Sequence, residues 1–240
     1  MVSRRDGRCM LKQHPSPGRD EKLITSWNAL AGCGLVAAHR YLGLAEAGKR
    51  AREIARALLA MRDETGRLAH ARIGEQVQPD AFLSDHAALL LLLTLLGEET
   101  DEFTHAVAEL RTRVLGFQRD GTWIESETAD FDPIPAEIFD QPVPSSVALA
   151  EMALLRTQVA GHEEYLPRPF AEPLGRAFHN VTALQSRGYF FVVESPEPIS
   201  WEKLPVHSIQ VRGQNRVSCH RGVCYLGLPP EISAEKAAGK

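Results

Sequence analysis

The segment "AALLLLLTLLG", residues 87–97, is apolar on every side of the helix that its composition predicts. It is about half as long as the roughly 20 residues that cross a bilayer, and Asp85, Glu98 and Glu99 flank it. A helix that is hydrophobic all round is buried inside a protein. We therefore predict a central helix over residues 81–97, packed between other helices, and no membrane partner.

Segments with a helical period of apolar residues lie on both sides of this central helix. Ser26 is the predicted N-cap of the first, and Ser145 or Ser146 begins the fifth. The predicted ranges are 26–42, 44–62, 101–118, 145–160 and 170–186. Gly32 and Gly34 in the first helix would let a neighbouring helix approach closely. Alternating buried and amphipathic helices are typical of stacked helical hairpins.

The two ends of the chain differ from this helical part. Residues 1–25 are polar, with prolines, and are predicted to be irregular. "YFFVVE" (189–194) and "VHSIQVRG" (206–213) are rich in β-branched and aromatic residues and predict short strands. The polar connector 63–80 is long enough for a short hairpin. The expected fold is mainly α, with an irregular segment 1–25, a helical domain 26–188 and a small β tail 189–240.

Composition excludes several classes of protein. The chain has 240 residues and a formal net charge of −4, so nucleic acid is not an expected partner. No apolar stretch follows the basic residues near Met1, so no secretory signal is expected. Four cysteines are too few for a disulfide framework and favour a reducing, cytoplasmic location.

Four motifs occur in the order in which the YyaL family has them. This family includes spermatogenesis-associated protein 20 and is usually described as thioredoxin-domain-containing. The motifs are "RDEKLITSWNAL" (19–30), "LSDHAALLLLL" (83–93), "DQPVPSSVALAEMALL" (140–155) and "SCHRGVCYLGLPP" (218–230). The resemblance covers roughly residues 4–230. Its most specific part is the set Asp20, Lys22, Trp27 and Asn28.

The resemblance implies a fold and a class of function. Family members have a thioredoxin-like domain followed by an (α/α)6 toroid similar to six-hairpin glycosidases and sugar epimerases. This chain resembles only the second half of the toroid and the C-terminal tail. The family often has Asp-Tyr-Ala where this chain has Asp85-His86-Ala87, and Pro-Ser-Gly-Asn where this chain has Pro144 to Val147.

Helix starts gather at one mouth of such a toroid, which makes the first motif a candidate sugar site. Trp27 would offer a stacking face and Asn28 an amide, with Asp20 and Lys22 in the same substrate-binding set. The alternative is that Trp27 is a core residue and that Asn28 satisfies free N–H groups of the first turn.

Two residues at the start of the central helix are candidates for catalysis. Asp85 is either a cavity carboxylate or a favourable charge at a helix N-terminus, with Ser84 as the cap. His86 is either a proton carrier or, as is more common beside an apolar run, a structural histidine. Sugar epimerases of the related fold use paired histidines, but no motif identifies a partner, because neither His70 nor His105 lies in one.

The connector 119–144 carries seven carboxylates after Arg119, four prolines and interspersed aromatic residues. Loops of this length are functional or disordered. Sugar sites combine aromatic faces with carboxylates, so we include Trp123, Asp140 and Ser145 among the substrate-binding candidates. The alternative is a solvated acidic loop held by its aromatic residues.

Cys219 and Cys224 lie in a predicted hairpin around Gly222. A metal site or a disulfide is one interpretation, and two free thiols, which a reducing cytoplasm favours, are the other. No phosphate loop, nucleophile elbow or dinucleotide motif is present in the sequence, so neither a cofactor nor a metal is expected.

Two functions are therefore consistent with the sequence. The first is a carbohydrate-acting or carbohydrate-binding domain, with a small sugar as ligand. The second is a non-catalytic, truncated family member or an assembly module. In that case a second copy or a partner protein would cover the open half of the toroid, including apolar helices such as 81–97.

Overall fold

The computed structural model describes residues 20–126, 132–158, 191–205, 208–220 and 223–228, and the backbone of 2–5 and 8–11. Five α-helices lie within these ranges: α1 (Thr25–Leu42), α2 (Ala45–Leu59), α3 (Leu83–Gly97), α4 (Thr104–Leu115) and α5 (Ser146–Gln158). A 3-10 turn, Asp101–Phe103, precedes α4. The five helices predicted between residues 26 and 160 are confirmed to within a few residues. The helix predicted over 170–186 lies outside the described residues.

Helices α1, α3 and α5 run in the same direction. At one end, the Ser26 N–H of α1 donates to Asp85 of α3. At the other end, Arg40 of α1 forms an ion pair with Glu98, the residue that directly follows α3. Arg156, near the end of α5, binds the same Glu98. All three helices therefore begin at one end of the molecule and finish at the other.

Helix α3 is the centre of the hydrophobic core. Leu83, Leu89, Leu90, Leu92 and Leu93 are all 0% exposed, as the prediction of a helix packed between others requires. A Cβ on Gly32 would lie 2.7 Å from Leu92 Cδ2, so a glycine is needed for α1 to pack this closely on α3.

Helices α2 and α4 lie on the outside of this inner row. The chain turns from α1 into α2 at Gly43, whose φ of 69° suits glycine. Two ion pairs link these two parts of the chain: Arg56 of α2 binds Glu102 of the 3-10 turn at 2.6 Å, and Arg62, just after α2, binds Glu109 of α4 at 2.9 Å. The described helices thus form two layers, with three parallel helices inside and two outside.

The described strands form four small sheets. A hairpin pairs β1 (Val2–Arg5) with β2 (Arg8–Leu11), and β6 (Gln118–Arg119) pairs with β7 (Thr122–Trp123). The strands β3 (Leu23–Ile24), β4 (Ala71–Ile73) and β5 (Gln76–Gln78) form an antiparallel sheet. The C-terminal sheet contains four of these strands: β8 (Phe191–Ser195), β9 (Ser208–Arg212), β10 (Val217–His220) and β11 (Val223–Leu226). Their order in the sheet is β11-β10-β8-β9. Strand β8 runs parallel to β9, and β10, which forms a hairpin with β11, pairs with the other edge of β8.

The fold is therefore mixed α/β rather than helical with a β tail only. Strands occur before and between the helices, and the hairpin expected in the connector 63–80 is confirmed as β4–β5. The prediction of an irregular segment 1–25 is wrong, because β1, β2 and β3 lie in it. The residues of these three strands are held by backbone hydrogen bonds, which a polar sequence does not predict.

The C-terminal sheet packs against the ends of the inner helices. Ile209 of β9 is 1% exposed and belongs to the main hydrophobic core. The Arg40 guanidinium stacks 3.8 Å from the centre of the Trp201 ring. The tail is thus joined to the helical part through apolar and charged contacts.

Candidate functional site

Asp85 is the polar centre of the end where the inner helices begin. Its carboxylate is 0% exposed and accepts the N–H of Ser26 at 2.9 Å and of Phe82 at 3.0 Å. It also lies 2.7 Å from Nδ1 of His70. One buried carboxylate therefore joins the first turns of α1 and α3 to the strand that follows His70.

These contacts replace the caps that the sequence predicted. Helix α1 begins at Thr25, whose hydroxyl donates to the Ala69 carbonyl at 2.6 Å, so Ser26 lies inside the helix and is not its cap. Asp85 lies at the third position of α3 and reaches back to the N–H of Phe82, which is half of a capping box. Ser84 does not cap α3, since it is the second residue of the helix, after the N-cap residue Phe82, and its N–H donates to Glu125 Oε1 at 3.2 Å.

Asp85 acts as a favourable charge at a helix start, which was one of the two interpretations. Helix N-termini attract negative charge, and here two of them meet one carboxylate. Because Asp85 has no exposed surface and lines neither cavity described below, it is not in a position to touch a ligand in them.

His70 is the residue of this cluster that the sequence did not identify. Its ring is about a fifth exposed and packs edge-on against Phe82, with the ring centres 4.9 Å apart. A carboxylate on Nδ1 fixes the orientation of the imidazole. The contact spans 15 positions of irregular chain and strand, so no helical or strand period predicts it.

His86 is a structural histidine. Its side chain is 4% exposed and packs against Phe117, and burial, helped by the charge of Arg113, lowers its pKa to about 4. Because His86 is buried against Phe117 and lines neither cavity described below, the structure favours the structural interpretation over the proton-carrier role.

Trp27 is exposed, contrary to the interpretation of it as a core residue. It is 64% exposed because it lies on the face of α1 opposite α3. Asn28 beside it donates from its amide to the Ile24 carbonyl at 2.8 Å. Asn28 thus bonds to the backbone, although to a carbonyl and not to the N–H groups that were expected.

Asp20 and Lys22 lie on the surface before β3. Both are exposed, and the Lys22 N–H donates to Asp20 Oδ1 at 3.0 Å. Neither lines a cavity that contains Trp27. The structure therefore does not bring this pair into one site with Trp27.

The acidic connector folds back on itself beside the starts of α3 and α5. The Glu125 N–H donates to the Ile134 carbonyl at 2.7 Å, and the Ala136 N–H donates to the Trp123 carbonyl at 3.0 Å. Trp123 is 7% exposed and belongs to the core, and one side of its ring lines the larger cavity described below. The described parts of the connector are thus held to the helices by an aromatic anchor, as the alternative interpretation proposed.

Asp140 and Ser145 cap the fifth helix. Asp140 Oδ1 accepts the Ser145 N–H at 3.0 Å, and Ser145 Oγ accepts the Ala148 N–H at 3.2 Å. Ser145 is 3% exposed. The predicted start of α5 is therefore confirmed, and both side chains are engaged in backbone contacts.

Two adjoining cavities lie where the inner helices begin. The larger has a volume of about 1060 Å³ and the smaller about 230 Å³. Glu137, Phe139 and Ser146 line both, so together they form one cleft, here called the N-terminal cleft. Trp27 stands at the smaller cavity, and Phe139, which is 41% exposed, stands between the two.

Carboxylates line the larger cavity. Glu125 and Glu137 reach it from the connector, and Glu151, which is 5% exposed, reaches it from α5. The Oε2 atom of Glu125 is buried and has no hydrogen-bond partner among the described residues. The N-terminal cleft therefore combines aromatic faces with hydrogen-bond acceptors for a ligand that carries hydroxyl groups.

Cys219 and Cys224 form a disulfide between β10 and β11. The two residues face each other directly in the antiparallel register, and their Cα atoms are 4.1 Å apart. The prediction of two free thiols is therefore wrong. Among the described residues, no group of three metal-binding side chains is found.

Comparison with known proteins gives little functional information. No protein-family model matches the chain. The chain is 32% identical, over an alignment of 169 residues that covers 64% of the chain, to "Uncharacterized protein B0495.5" of Caenorhabditis elegans. The match spans 23% of that relative. In the described part of the chain, no helix is both long and apolar enough to cross a membrane.

Proposed function

We propose that the chain binds a small carbohydrate in the N-terminal cleft, as one part of a larger (α/α) toroid. The observation that carries this is the position of two exposed aromatic side chains, Trp27 and Phe139, on a cleft that carboxylates also line. Sugars stack their apolar faces on such rings and donate hydroxyl groups to carboxylates.

The arrangement of the helices supports the toroid. Three parallel inner helices with antiparallel outer helices are what stacked helical hairpins produce, and the cleft lies where the inner helices begin. A cytoplasmic location, which the sparse cysteines favour and the Cys219–Cys224 disulfide opposes, is part of this proposal.

A calorimetric titration with a panel of mono- and disaccharides tests the proposal. We expect saturable binding of at least one sugar. Trp27→Ala should weaken this binding about tenfold, or by about 1.4 kcal/mol of binding free energy, because it removes one stacking face. Leu42→Ala is the matched control, because Leu42 is 70% exposed at the other end of α1. Absence of saturable binding across the panel would contradict the proposal, and so would an equal effect of both variants.

An assembly role is the second candidate, and one face of α1 favours it. The expectation that α3 would be partly bare is wrong, since all its leucines except the partly buried Leu95 are buried. Instead, α1 exposes an uncharged stripe formed by Trp27, Ala31, Gly34 and Tyr41. Exposed apolar surfaces of this kind are common at interfaces.

Light scattering of Gly34→Glu tests this role. A side chain at Gly34 meets no atom within 4 Å, so the variant should fold normally. If the stripe is covered by a second copy, the wild type is a dimer and the variant a monomer. A wild-type monomer that binds no hydrophobic dye would exclude self-association through α1.

A further inference from the structure

A third cavity, with a volume of about 470 Å³, lies at the opposite end of the helices from the N-terminal cleft. Its walls are the last turns of α3 and α5, one side of α4, and β9. Arg111 of α4 lines it, and we call it the arginine cavity.

Among the described residues that line it, the arginine cavity has three arginines, Arg111, Arg156 and Arg212, and two carboxylates. Of its two carboxylates, Glu98 binds Arg156 and Asp101 binds Arg212. Arg111 forms no ion pair with a carboxylate in the described part of the chain. Its Nε is buried from solvent and has no hydrogen-bond partner among those residues.

A buried N–H without an acceptor is unfavourable, and natural structures satisfy nearly all such groups. A ligand oxygen that accepts from Arg111 would remove this deficit. The planar guanidinium favours a carboxylate, because two parallel N–H groups fit its two oxygens.

The other walls restrict the rest of the ligand. Val107, Ile209 and Val211 supply apolar surface. The hydroxyls of Thr94 and Thr104 already donate to helix carbonyls, at 2.8 Å and 2.9 Å. Their oxygens are therefore left as acceptors, which suits a ligand with a hydroxyl donor.

We propose that the arginine cavity binds a small organic carboxylate with a short apolar body and a hydroxyl group, and that Arg111 holds the carboxylate. The cavity volume is within the range of small-molecule sites. The site is separate from the N-terminal cleft, so it does not depend on sugar binding.

Titration with 3-phenyllactate, followed by ligand-observed NMR and calorimetry, tests this site. We expect saturable binding with a Kd at or below about 1 mM, and Arg111→Gln should weaken it at least about tenfold. Arg113→Gln is the matched control, since Arg113 is exposed on the same helix and does not line the cavity. Circular dichroism checks that both variants fold.

The uncharged amide of phenyllactate separates charge recognition from apolar binding. It should bind at least about tenfold more weakly than the acid. Equal binding of acid and amide, equal binding by wild type and Arg111→Gln, or no saturable binding of the acid would each overturn the proposal. Tighter binding of inorganic phosphate than of phenyllactate would overturn the assignment to a carboxylate.

Discussion

A carboxylate is buried at each end of the inner helices, Asp85 at the end where they begin and Glu98 at the end where they finish. Different groups compensate the negative charge at the two ends. Asp85, where the helices begin, accepts backbone N–H groups and faces one histidine. Glu98, where they finish, lies between the guanidinium groups of Arg40 and Arg156. At the first end the helix termini themselves supply positive potential, whereas at the second end it must come from side chains.

This difference has an energetic consequence. Backbone N–H groups are present whether or not Asp85 is there, and removing the carboxylate leaves neutral donors unsatisfied. Removing Glu98 leaves charged groups buried, which costs more. The N-terminal end opens into the N-terminal cleft, while charge pairs and the C-terminal sheet border the smaller arginine cavity at the other end.

The largest effect is expected at Glu98. Glu98→Gln removes the carboxylate that Arg40 and Arg156 share. Arg40, which is 5% exposed, keeps Glu99 at 3.1 Å, whereas Arg156 loses the charge of its partner. We expect the free energy of unfolding, measured by urea titration, to fall by about 3 to 5 kcal/mol. Glu109→Gln, which breaks the half-exposed pair with Arg62, should change it far less. Similar losses for both would remove the contrast between buried and surface pairs.

Asp85→Asn should destabilise the protein less than Glu98→Gln does. The amide keeps one acceptor but cannot serve Ser26, Phe82 and His70 together, so we expect a loss of about 2 to 3 kcal/mol in urea. Asp80→Asn, at an exposed ion pair, is the control. A double-mutant cycle with His70→Ala should show coupling of about 1 kcal/mol; additive losses would mean that the His70 contact contributes nothing.

His86, at the end where the inner helices begin, should make the free energy of unfolding depend on pH below neutrality. Its pKa is about 4 in the folded protein and near 6.5 in an unfolded chain, so the unfolded state binds the proton more readily. Stability is therefore complete above pH 6.5 and is lost as the pH falls towards 4, by about 2 kcal/mol at pH 5.

The comparison that checks this is wild type against His86→Leu in urea at pH 7 and pH 5. The variant lacks the titrating group, so its loss of stability between the two pH values should be smaller by about 2 kcal/mol. Equal losses would mean that the imidazole is not buried in its neutral form.

The smallest effect is expected in the C-terminal sheet, beyond the charged end. The disulfide closes a loop with a sequence separation of only 5, so its loss in Cys219→Ser/Cys224→Ser should lower stability by less than about 2 kcal/mol. Thiol titration of the denatured wild type should find two more thiols with a reductant than without one. The same number under both conditions would show that the cysteines are free, as a reducing cytoplasm predicts.

How far the fold could be predicted depended on the kind of interaction. The positions of α1 to α5 follow from local periodicity, and the β4–β5 hairpin follows from a polar connector between helices. Strand β3 was missed because its partner β4 lies far along the chain, and the local β1–β2 hairpin was missed because its short strands show no apolar alternation. The site was predicted less well, because Trp27, Trp123 and Asp85 were chosen by residue type, and residue type does not determine which face of an element is covered.

By itself, the sequence determined that α3 would be buried, since a helix without a polar side has no favourable orientation at a surface. It also determined the bounds of the helices to within a few residues, although not the residues that cap α1 and α3. Only the tertiary structure decided that Asp85 would meet Ser26 and His70, that Glu98 would lie between Arg40 and Arg156, and that Trp27 would remain outside. Each of these outcomes depends on residues far apart in the chain, which only the packing of complete helices brings together.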